Sequence, residues 1–331
     1  MRILVLFILF FGVQLAFGQD LHFTQYGILR TYFNPAQTGD FVEDYRISGI
    51  HRNQWRNVSK PYSTFGLGGE KSGFKFLPGL GVGLHVFNDV AGTSNFTTNR
   101  LAADLAYHIP LFDSTHQLSL GVTPEFIFQS VDLNRLTFGD QYLGNNNTIN
   151  NPTGEVRGNI SGSKPNFTIG ANYKVFFNNR QVLQIGGVYA NLSTPEVIEG
   201  NQSSFQSRYL AAISYQFPIA RNLLLAPNAY YNLQGNFKEL FGGLNAEWIL
   251  KNGRFNYQSL LFGVMHRWQD AWAASVGLKY QNWQFGFAYD VNTSAFNTAT
   301  EYRGAYELGF VYVFNVFNES HRRFKTCPTF I

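Results

Sequence analysis

Alternation between apolar side chains and polar or small ones recurs in short segments from residue 42 to residue 314. The clearest segment runs from Trp283 to Asp290, with aromatic residues at odd positions and small or polar residues at even positions. A period of two places these sets on opposite faces of a β-strand. The pattern therefore predicts an all-β fold, a transmembrane antiparallel β-barrel with lipid outside and a polar lumen.

The composition indicates that much of the surface faces something other than water. Aromatic residues make up 17% of the 331 residues and charged residues only 14%, whereas soluble domains carry about 25% charged residues. Aromatic pairs near strand ends, such as Tyr230-Tyr231, are interpreted as girdles at the membrane interfaces. We expect contacts with outer-membrane lipids. We expect no nucleic-acid partner, because the net charge is only +4 and the basic residues are scattered.

Residues 1–18 have the features of a signal peptide. Arg2 gives a positive start, residues 3–11 form a short apolar core, and Ala16 and Gly18 are the small residues of a cleavage site. The apolar run is shorter than the roughly twenty residues that a transmembrane helix needs. We predict export with cleavage after Gly18. Export together with alternating strands predicts the bacterial outer membrane as the location.

The alternation predicts about fourteen strands. The runner-up count is twelve, which applies if residues 42–53 and 61–70 form a plug or lie on the periplasmic side. The connections 130–165, 192–204 and 292–302 are long, and those of the opposite parity are tight. With a periplasmic N-terminus, this predicts long external loops and short periplasmic turns. The predicted strands are 42–53, 61–70, 79–89, 97–109, 116–129, 166–177, 181–191, 205–217, 222–234, 239–250, 256–266, 270–281, 282–291 and 303–314.

Four parts are predicted along the chain. Residues 1–18 are the signal peptide, 19–41 an N-terminal periplasmic or plug segment, 42–314 the outer-membrane β-barrel, and 315–331 a C-terminal periplasmic tail. The tail carries Cys327, the single cysteine of the chain. An internal disulfide is therefore excluded, and a free thiol and an intermolecular role both stay open.

No residues in the sequence have the spacing of a catalytic or metal site. Of the seven histidines, His85 and His108 lie on neighbouring predicted strands, and neither adjoins a serine in a nucleophile context. No His-x-x-x-His or Cys-His cluster resembles a metal-ligand set. We predict a non-enzymatic protein without cofactors. Polar residues at lumen parity are interpreted as a hydrogen-bonded interior or a water-facing wall, with a proton relay or selectivity ring as the alternative. They are His85, Asp104, Glu125, Glu247, Lys279, Asp290 and Glu307.

Several short motifs occur in the same order as in a known family. The block Asn34-Pro35-Ala36-x-x-Gly39 reads as a turn, and Arg52-Asn53-Gln54-Trp55 follows in the first predicted strand. Further blocks are 19–26, 136–141, 289–292, 304–307 and 327–330. With these blocks the sequence resembles the PorP/SprF family of type IX secretion system outer-membrane proteins. The motif residues singled out are Asn34, Pro35, Gly39, Arg52, Asn53, Gln54, Trp55, Asp290 and Cys327.

The resemblance implies a partner-binding barrel of the type IX secretion and gliding machinery. Such a protein binds or anchors the C-terminal sorting domain of a secreted surface protein, often an adhesin, and contacts the type IX translocon and periplasmic ring components. We expect the secreted partner at the external loops 130–165 and 192–204, and machinery contacts around 19–40 and 315–331. The alternative function is an outer-membrane solute channel or transporter. The candidate partner-binding loop residues are Phe138, Gly139, Asp140 and Gln141.

Overall fold

A computed structural model gives the structure of most of the chain. The described residues are 20–56, 60–112, 114–143, 148–149, 153–154, 158–177, 180–198, 205–253, 256–294 and 297–316. The predicted signal peptide, its cleavage site, Cys327 and nearly all of the predicted C-terminal tail lie outside these ranges.

Fourteen antiparallel strands form a closed barrel in which each strand pairs with its neighbours in sequence. The barrel closes where β1 pairs with β16, from Tyr45 opposite Phe314 to Gln54 opposite Ala305. Two further short strands, β6 and β7, form a hairpin of their own. The strands are β1 (Tyr45–Gln54), β2 (Tyr62–Ser72), β3 (Leu80–Ala91), β4 (Phe96–Leu111), β5 (His116–Asp132), β6 (Tyr142–Leu143), β7 (Thr148–Ile149), β8 (Asn159–Phe177), β9 (Gln181–Ala190), β10 (Arg208–Ala220), β11 (Leu223–Gln234), β12 (Phe237–Gly253), β13 (Asn256–Arg267), β14 (Ala271–Tyr280), β15 (Trp283–Asn292) and β16 (Arg303–Phe314).

The predicted fold class and the count of fourteen strands are confirmed, and the alternative of twelve is wrong. Residues 45–54 and 62–72 are full members of the barrel, because β1 pairs with both β16 and β2 along its whole length. The bounds of one strand differ most from the prediction. β8 begins at Asn159, where we expected residue 166, and its first residues pair with the end of β5.

The extension of β8 explains why the alternation did not reveal it. Residues 159–165 are mostly polar or glycine, and they pair with Phe126–Asp132 of β5. This pairing forms a ribbon that extends beyond the pairing of β8 with β9, which begins at Ile169, while β4 continues to pair with β5 up to Ser130. A ribbon that rises above the membrane needs no apolar face toward lipid. The predicted loop 130–165 is therefore partly strand, and the hairpin of β6 and β7 lies within its remainder.

The two ends of the barrel differ in their connections. At the end where β1 begins, the turns between β10 and β11 and between β14 and β15 have two residues each, 221–222 and 281–282. At the opposite end, the connections 133–158 and 191–207 are long. Long loops face the outside in outer-membrane barrels, so we name this the external end and the other the periplasmic end.

Alternation places apolar side chains on the outer face of the barrel. Leu84, Val264 and Val276 are 62%, 58% and 53% exposed, and they lie on three different strands. Because such side chains gain nothing from contact with water, their exposure in a ring around the barrel fits a lipid environment. Aromatic rings stack near the periplasmic end of this face, where Trp283 and Tyr312 lie 4.3 Å apart.

Within the residues that the structure describes, helical structure is confined to single turns. The described helices are α1 (Arg30–Phe33) and α2 (Asn297–Thr300), with 3-10 turns at Pro35–Gln37, Leu133–Arg135 and Gly139–Gln141. In the described ranges, no helix has the length and apolar character needed to span a membrane.

A charge on the outer face tests the orientation of the strands. Val276→Arg places a guanidinium on the lipid face of β14, and we expect the free energy of unfolding to fall by about 2–4 kcal/mol. The measurement is guanidinium unfolding of the barrel in lipid vesicles. Val276→Leu, which stays apolar, is the control and should leave stability within about 1 kcal/mol of wild type. Equal stability of the arginine variant would contradict the assigned outer face.

Candidate functional site

Residues 20–44, here called the lumen segment, lie inside the barrel. Asp20 contacts Arg100 and Arg208, which lie near the external ends of β4 and β10. Asp40 forms an ion pair of 2.5 Å with Lys174, near the periplasmic end of β8. The segment therefore descends through the lumen from the external end to the periplasmic end, and there it continues into β1. This course departs from the expected machinery contacts around 19–40, because most of the segment is enclosed by the wall.

A capped turn in the middle of the lumen segment ties it to the wall. The Asn34 side-chain oxygen accepts a hydrogen bond of 2.9 Å from the Ala36 amide, and Pro35 occupies the first position of the 3-10 turn. The Asn34 side-chain nitrogen donates to the Ala171 carbonyl oxygen of β8 at 3.0 Å. The Asn-Pro motif thus shapes the segment and anchors it at the same time.

Gly39 ends this motif in a left-handed conformation, with φ of +72°. A methyl group on Gly39 would lie 2.5 Å from Gly81 Cα and 2.9 Å from the Lys71 carbonyl oxygen. The residue therefore has to be glycine for two reasons, the backbone angle and the close approach to the wall.

Apolar side chains of the segment pack against apolar side chains that point into the lumen. Tyr32 lies 4.7 Å from Phe87, and Tyr26 lies 6.0 Å from both Tyr230 and Phe241 (ring centroids). Burial, reinforced by the neighbouring Asp20 carboxylate, raises the pKa of Tyr32 to about 12. The buried cluster consists of Phe23, Ile28, Leu29, Tyr32, Phe33, Ile50, Phe87, Val188, Ala190, Leu210, Tyr230, Phe241, Met265, Ala273 and Val311.

The interpretation of Tyr230 as a girdle residue is wrong. Its side chain is 4% exposed and points into the lumen, whereas its neighbour Tyr231 is 43% exposed on the outer face. Adjacent residues of a strand point to opposite faces, so one of the pair had to face inward. Tyr230 stacks on Phe241 at 4.6 Å and donates a hydrogen bond of 3.1 Å to Glu239.

Glycines that point into the lumen make room for the segment. A methyl group on Gly121 would lie 2.4 Å from the Ala36 nitrogen, and one on Gly170 would lie 2.9 Å from Pro35 Cδ. Such distances are not compatible with a carbon atom at these positions. The glycines whose added methyl group would contact the lumen segment are Gly66, Gly68, Gly81, Gly83, Gly121, Gly170, Gly186, Gly286 and Gly309.

One buried ion cluster joins the first and last barrel strands to the segment. Arg52 of β1 forms ion pairs of 2.5 Å with Glu307 and 2.9 Å with Asp290. The amides of Thr24 and Gln25 donate to the two oxygens of Glu307 at 2.7 and 2.8 Å. The Thr24 hydroxyl donates to Asp290 at 2.7 Å. Two motif residues, Arg52 and Asp290, therefore hold the segment together with Glu307.

A second cluster lies closer to the periplasmic end. Glu70 of β2 forms ion pairs of 2.6 Å with Arg46 and 3.4 Å with Arg30, and it accepts a hydrogen bond of 3.0 Å from the Gly39 amide. Arg46 also donates to the carbonyl oxygens of Gly27 and Ile28. Arg46 and Glu70 are not among the predicted lumen-facing residues, although both occur at lumen parity in their strands.

A third group lies beside the periplasmic end of the segment. His108 Nε2 lies 2.8 Å from the Thr38 carbonyl oxygen. Burial alone would raise the pKa of the Asp40 carboxyl, but Lys174 and Arg30 outweigh it and hold that pKa well below its usual value. Asp40 is therefore ionised at neutral pH.

A fourth cluster surrounds the external end of the segment. Asp20 pairs with Arg100 and Arg208, and Arg100 also lies 3.4 Å from Glu125. Burial alone would raise the pKa of the Asp20 carboxyl, but the two guanidinium groups lower it further than burial raises it. The carboxylate is therefore charged at neutral pH and lies between two buried cations.

The predicted lumen-facing residues divide into two groups. Glu125, Asp290 and Glu307 belong to the clusters above, and His85 Nδ1 lies 2.7 Å from Asp104 Oδ2 beneath Thr31 of the segment. Glu247 and Lys279 form their own pair of 2.8 Å near the periplasmic end, where Ser259 and Tyr257 donate to Glu247. One serine–histidine pair lies beside the segment: His108 Nδ1 is 2.8 Å from the hydroxyl of the fully buried Ser119, and His108 Nε2 is 2.8 Å from the Thr38 carbonyl oxygen of the segment.

The other singled-out residues lie in three places. Asn53 points away from the lumen, since it alternates with Arg52, and the Trp55 ring lies 5.0 Å from the Tyr62 ring. Gln54 pairs with Ala305 at the external end of the barrel seam. Of the candidate loop residues, Gly139, Asp140 and Gln141 form a 3-10 turn that directly follows Phe138. The Gln141 side-chain oxygen accepts a hydrogen bond from the Phe138 amide, and the Asp140 carboxylate accepts one from the Gly154 amide at 2.8 Å. Throughout the part of the chain that the structure describes, no group of His, Cys, Asp and Glu could hold a metal ion.

Removal of Arg52 tests the ion cluster that joins the seam to the segment. Arg52→Met leaves the buried carboxylates of Asp290 and Glu307 without their nearest cation, and we expect a loss of about 3–5 kcal/mol of unfolding free energy. The measurement is guanidinium unfolding in lipid vesicles. The control, Arg303→Met, removes an exposed arginine whose pair with Glu301 is weak, and it should cost under about 1 kcal/mol. Similar values for the two variants would refute the role of Arg52.

An added methyl group tests the close contact between segment and wall. Gly121→Ala forces Pro35 and Ala36 to move, and we expect a loss of about 1–3 kcal/mol, measured as above. Gly187→Ala is the matched control, because a methyl group there meets nothing within 4 Å. If Gly121→Ala is no less stable than Gly187→Ala, the segment does not lie against β5 as described.

Comparison with solved structures identifies the same barrel type. The toluene transporter TbuX of Ralstonia pickettii is 11% identical, with a TM-score of 0.51 over 87% of this chain and 94% of that chain. A FadL homologue of Pseudomonas aeruginosa is 11% identical, with a TM-score of 0.45 over 87% and 94%. The translocator domain of the autotransporter NalP of Neisseria meningitidis is also 11% identical, with a TM-score of 0.43 over 86% and 94%. At this identity, the likeness to TbuX establishes a shared fold only.

No curated protein matches the sequence. The family model of the type IX secretion system membrane protein PorP/SprF, however, matches residues 15–312. The match includes the Asn34-Pro35 turn, the Arg52 motif and the barrel strands from β1 to nearly the end of β16. The chain therefore belongs to the PorP/SprF family of type IX secretion system membrane proteins and is an outer-membrane β-barrel.

Proposed function

We propose that this protein is a non-enzymatic barrel of the type IX secretion and gliding machinery that binds or anchors a secreted surface protein. The bound part is the C-terminal sorting domain of that protein. The observation that carries the proposal is the lumen segment: the barrel uses its interior to hold its own chain, which leaves the external loops as the surface for a partner.

The filled lumen favours a binding role over transport. The segment runs the length of the lumen and is bonded to β1, β2, β4, β8, β10, β15 and β16. A solute would have to pass beside it or displace it, and displacement would leave several buried charges without partners. TbuX, a toluene transporter, has a barrel of similar fold. A solute channel or transporter is therefore the alternative that the test below has to exclude.

The external loops have the features of a binding surface. β5 and β8 extend as a ribbon of paired residues to Asp132 and Asn159, and the hairpin of β6 and β7 follows above them. The 3-10 turn with Phe138, Asp140 and Gln141 is held by side-chain bonds within this region. A rigid scaffold that positions loops is a common arrangement for recognition of a protein partner.

Further parts of the proposal concern the two chain ends. We propose that residues 1–18 direct export and are removed after Gly18, and that the tail 315–331 meets the translocon or periplasmic ring components. Machinery contacts of the N-terminal region would then be limited to its periplasmic end near residues 40–44, where the segment leaves the lumen.

Purification from native outer membranes tests the binding role. The wild-type barrel should carry one secreted surface protein with a C-terminal sorting domain, identified by mass spectrometry. Phe138→Asp in the external loop should lower recovery about tenfold, which corresponds to a loss of about 1.4 kcal/mol. Lys251→Glu, at the periplasmic end, is the control and should leave recovery unchanged.

Reconstitution in planar bilayers tests the alternative. We expect no steady conductance from the wild-type barrel, because the lumen segment occupies the path. A steady conductance together with recovery of only lipids and assembly factors would refute the binding role and support a solute channel.

A further inference from the structure

We infer that Asp20 is a positioning residue for residues 191–198 and 205–207 of the external loop after β9, so that this part of the partner surface forms only when the lumen segment is seated. The inference rests on the proposed function in placing a partner at the external loops. It goes beyond that function by making the barrel's own N-terminal region a requirement for partner binding.

The Asp20 end of the segment is bonded directly to this loop. The Asn191 side-chain nitrogen donates to Asp20 Oδ2 at 2.9 Å and to the Gln206 carbonyl oxygen at 3.0 Å. Gln234 of β11 bonds Asp20 and Gln206 as well. Its side-chain oxygen accepts a hydrogen bond from the Asp20 amide, and its side-chain nitrogen donates one to the Gln206 carbonyl oxygen. The two ends of the loop and the end of the segment therefore share one hydrogen-bond network.

Asn191 connects this network to the ribbon of β5 and β8. The residue is fully buried and has a left-handed φ of +57°, a conformation that asparagine tolerates better than most residues. Its side-chain oxygen accepts a hydrogen bond of 2.8 Å from Asn166 of β8, and Asn166 also donates to Glu125 of β5 at 2.6 Å. Asn191 thus turns the chain out of β9 with its side chain fixed by three neighbours.

The described residues that follow Asn191 also bond β8. The Leu192 amide donates to the Phe167 carbonyl oxygen at 3.1 Å, and the Ser193 hydroxyl donates to the Asn166 side-chain oxygen at 3.0 Å. Further along, the Phe205 amide donates to the Pro195 carbonyl oxygen at 3.1 Å, which folds one part of the loop against the other. The loop is therefore an ordered structure where it approaches the lumen.

Charge makes Asp20 necessary for this arrangement. Arg100 and Arg208 are both buried, and the guanidinium of Arg100 lies 4.9 Å from the ring centre of Phe205 in the loop. Of the described carboxylates, Asp20 bonds both arginines, whereas Glu125 is bonded to Arg100. Without Asp20, Arg100 would keep only Glu125, and Arg208 would lose the carboxylate it pairs with among the described residues. The two buried cations would then repel each other beneath Phe205 and Asn191.

The opposite end of the segment offers a matched comparison. Asp40 also forms a buried ion pair with the wall, through Lys174, but it lies at the periplasmic end, away from the loop. Asp20→Asn and Asp40→Asn remove the same charge from the same segment with the same change of atoms. A general loosening of the segment would affect both variants, whereas positioning of the loop depends on Asp20 alone.

Hydrogen exchange of the purified, full-length barrels tests the inference. We expect amides 192–194 and 205–207 to exchange about tenfold faster or more in Asp20→Asn than in wild type, as local opening becomes easier. Asp40→Asn should match wild type at these amides. Retained heat-modified migration on gels, together with unchanged exchange in the barrel strands, establishes that each variant is folded.

Recovery of the secreted partner from native membranes completes the test. Accelerated exchange with loss of the partner in Asp20→Asn alone supports the inference. Unchanged loop exchange in Asp20→Asn overturns it, whatever happens to the partner. If the wild-type barrel also captures no partner, the proposed function fails, and accelerated loop exchange in Asp20→Asn would still uphold the positioning role of Asp20.

Discussion

The buried ion cluster of Arg52, Asp290 and Glu307, which joins barrel strands to one another and binds the lumen segment, is the interaction on which the rest of the structure depends. Arg52 of β1 bonds Asp290 of β15 and Glu307 of β16, so one guanidinium crosses the seam where the barrel closes. The same Glu307 receives the amides of Thr24 and Gln25. Closure of the barrel and seating of the segment therefore use the same charges, and neither is complete without the other.

This dependence gives the lumen face its composition. From the sequence, polar residues on that face predict a hydrogen-bonded interior or a water-facing wall, and in the structure many of them bond or contact the lumen segment. Gly121 and Gly170 leave space for the Asn34-Pro35 turn, and Gly309 leaves space for Ile28. Polar side chains such as Glu70 and Asp290 hold backbone and side-chain groups of the segment that water would otherwise bind.

The sequence predicts the barrel far better than it predicts the site. Alternation is local, so the number and faces of the strands follow from neighbouring residues, with the polar start of β8 as the main miss. The path of the lumen segment rests on contacts between distant residues, such as Thr24 with Glu307, and no local pattern encodes them. Arg46 and Arg100 were missed because a charge at lumen parity does not reveal its partner. Tyr230 shows that parity, and not proximity to a strand end, determines which face of the barrel a side chain occupies.

The central claim is that residues 20–44 fill the lumen with Asp20 at the external end. An electron cryomicroscopy map of the full-length barrel in lipid nanodiscs tests it most directly. The account predicts continuous density inside the barrel from Arg100 and Arg208 at the external end to the start of β1, with Arg52 between Asp290 and Glu307. An empty lumen, or a segment that lies wholly on the periplasmic side, would contradict it.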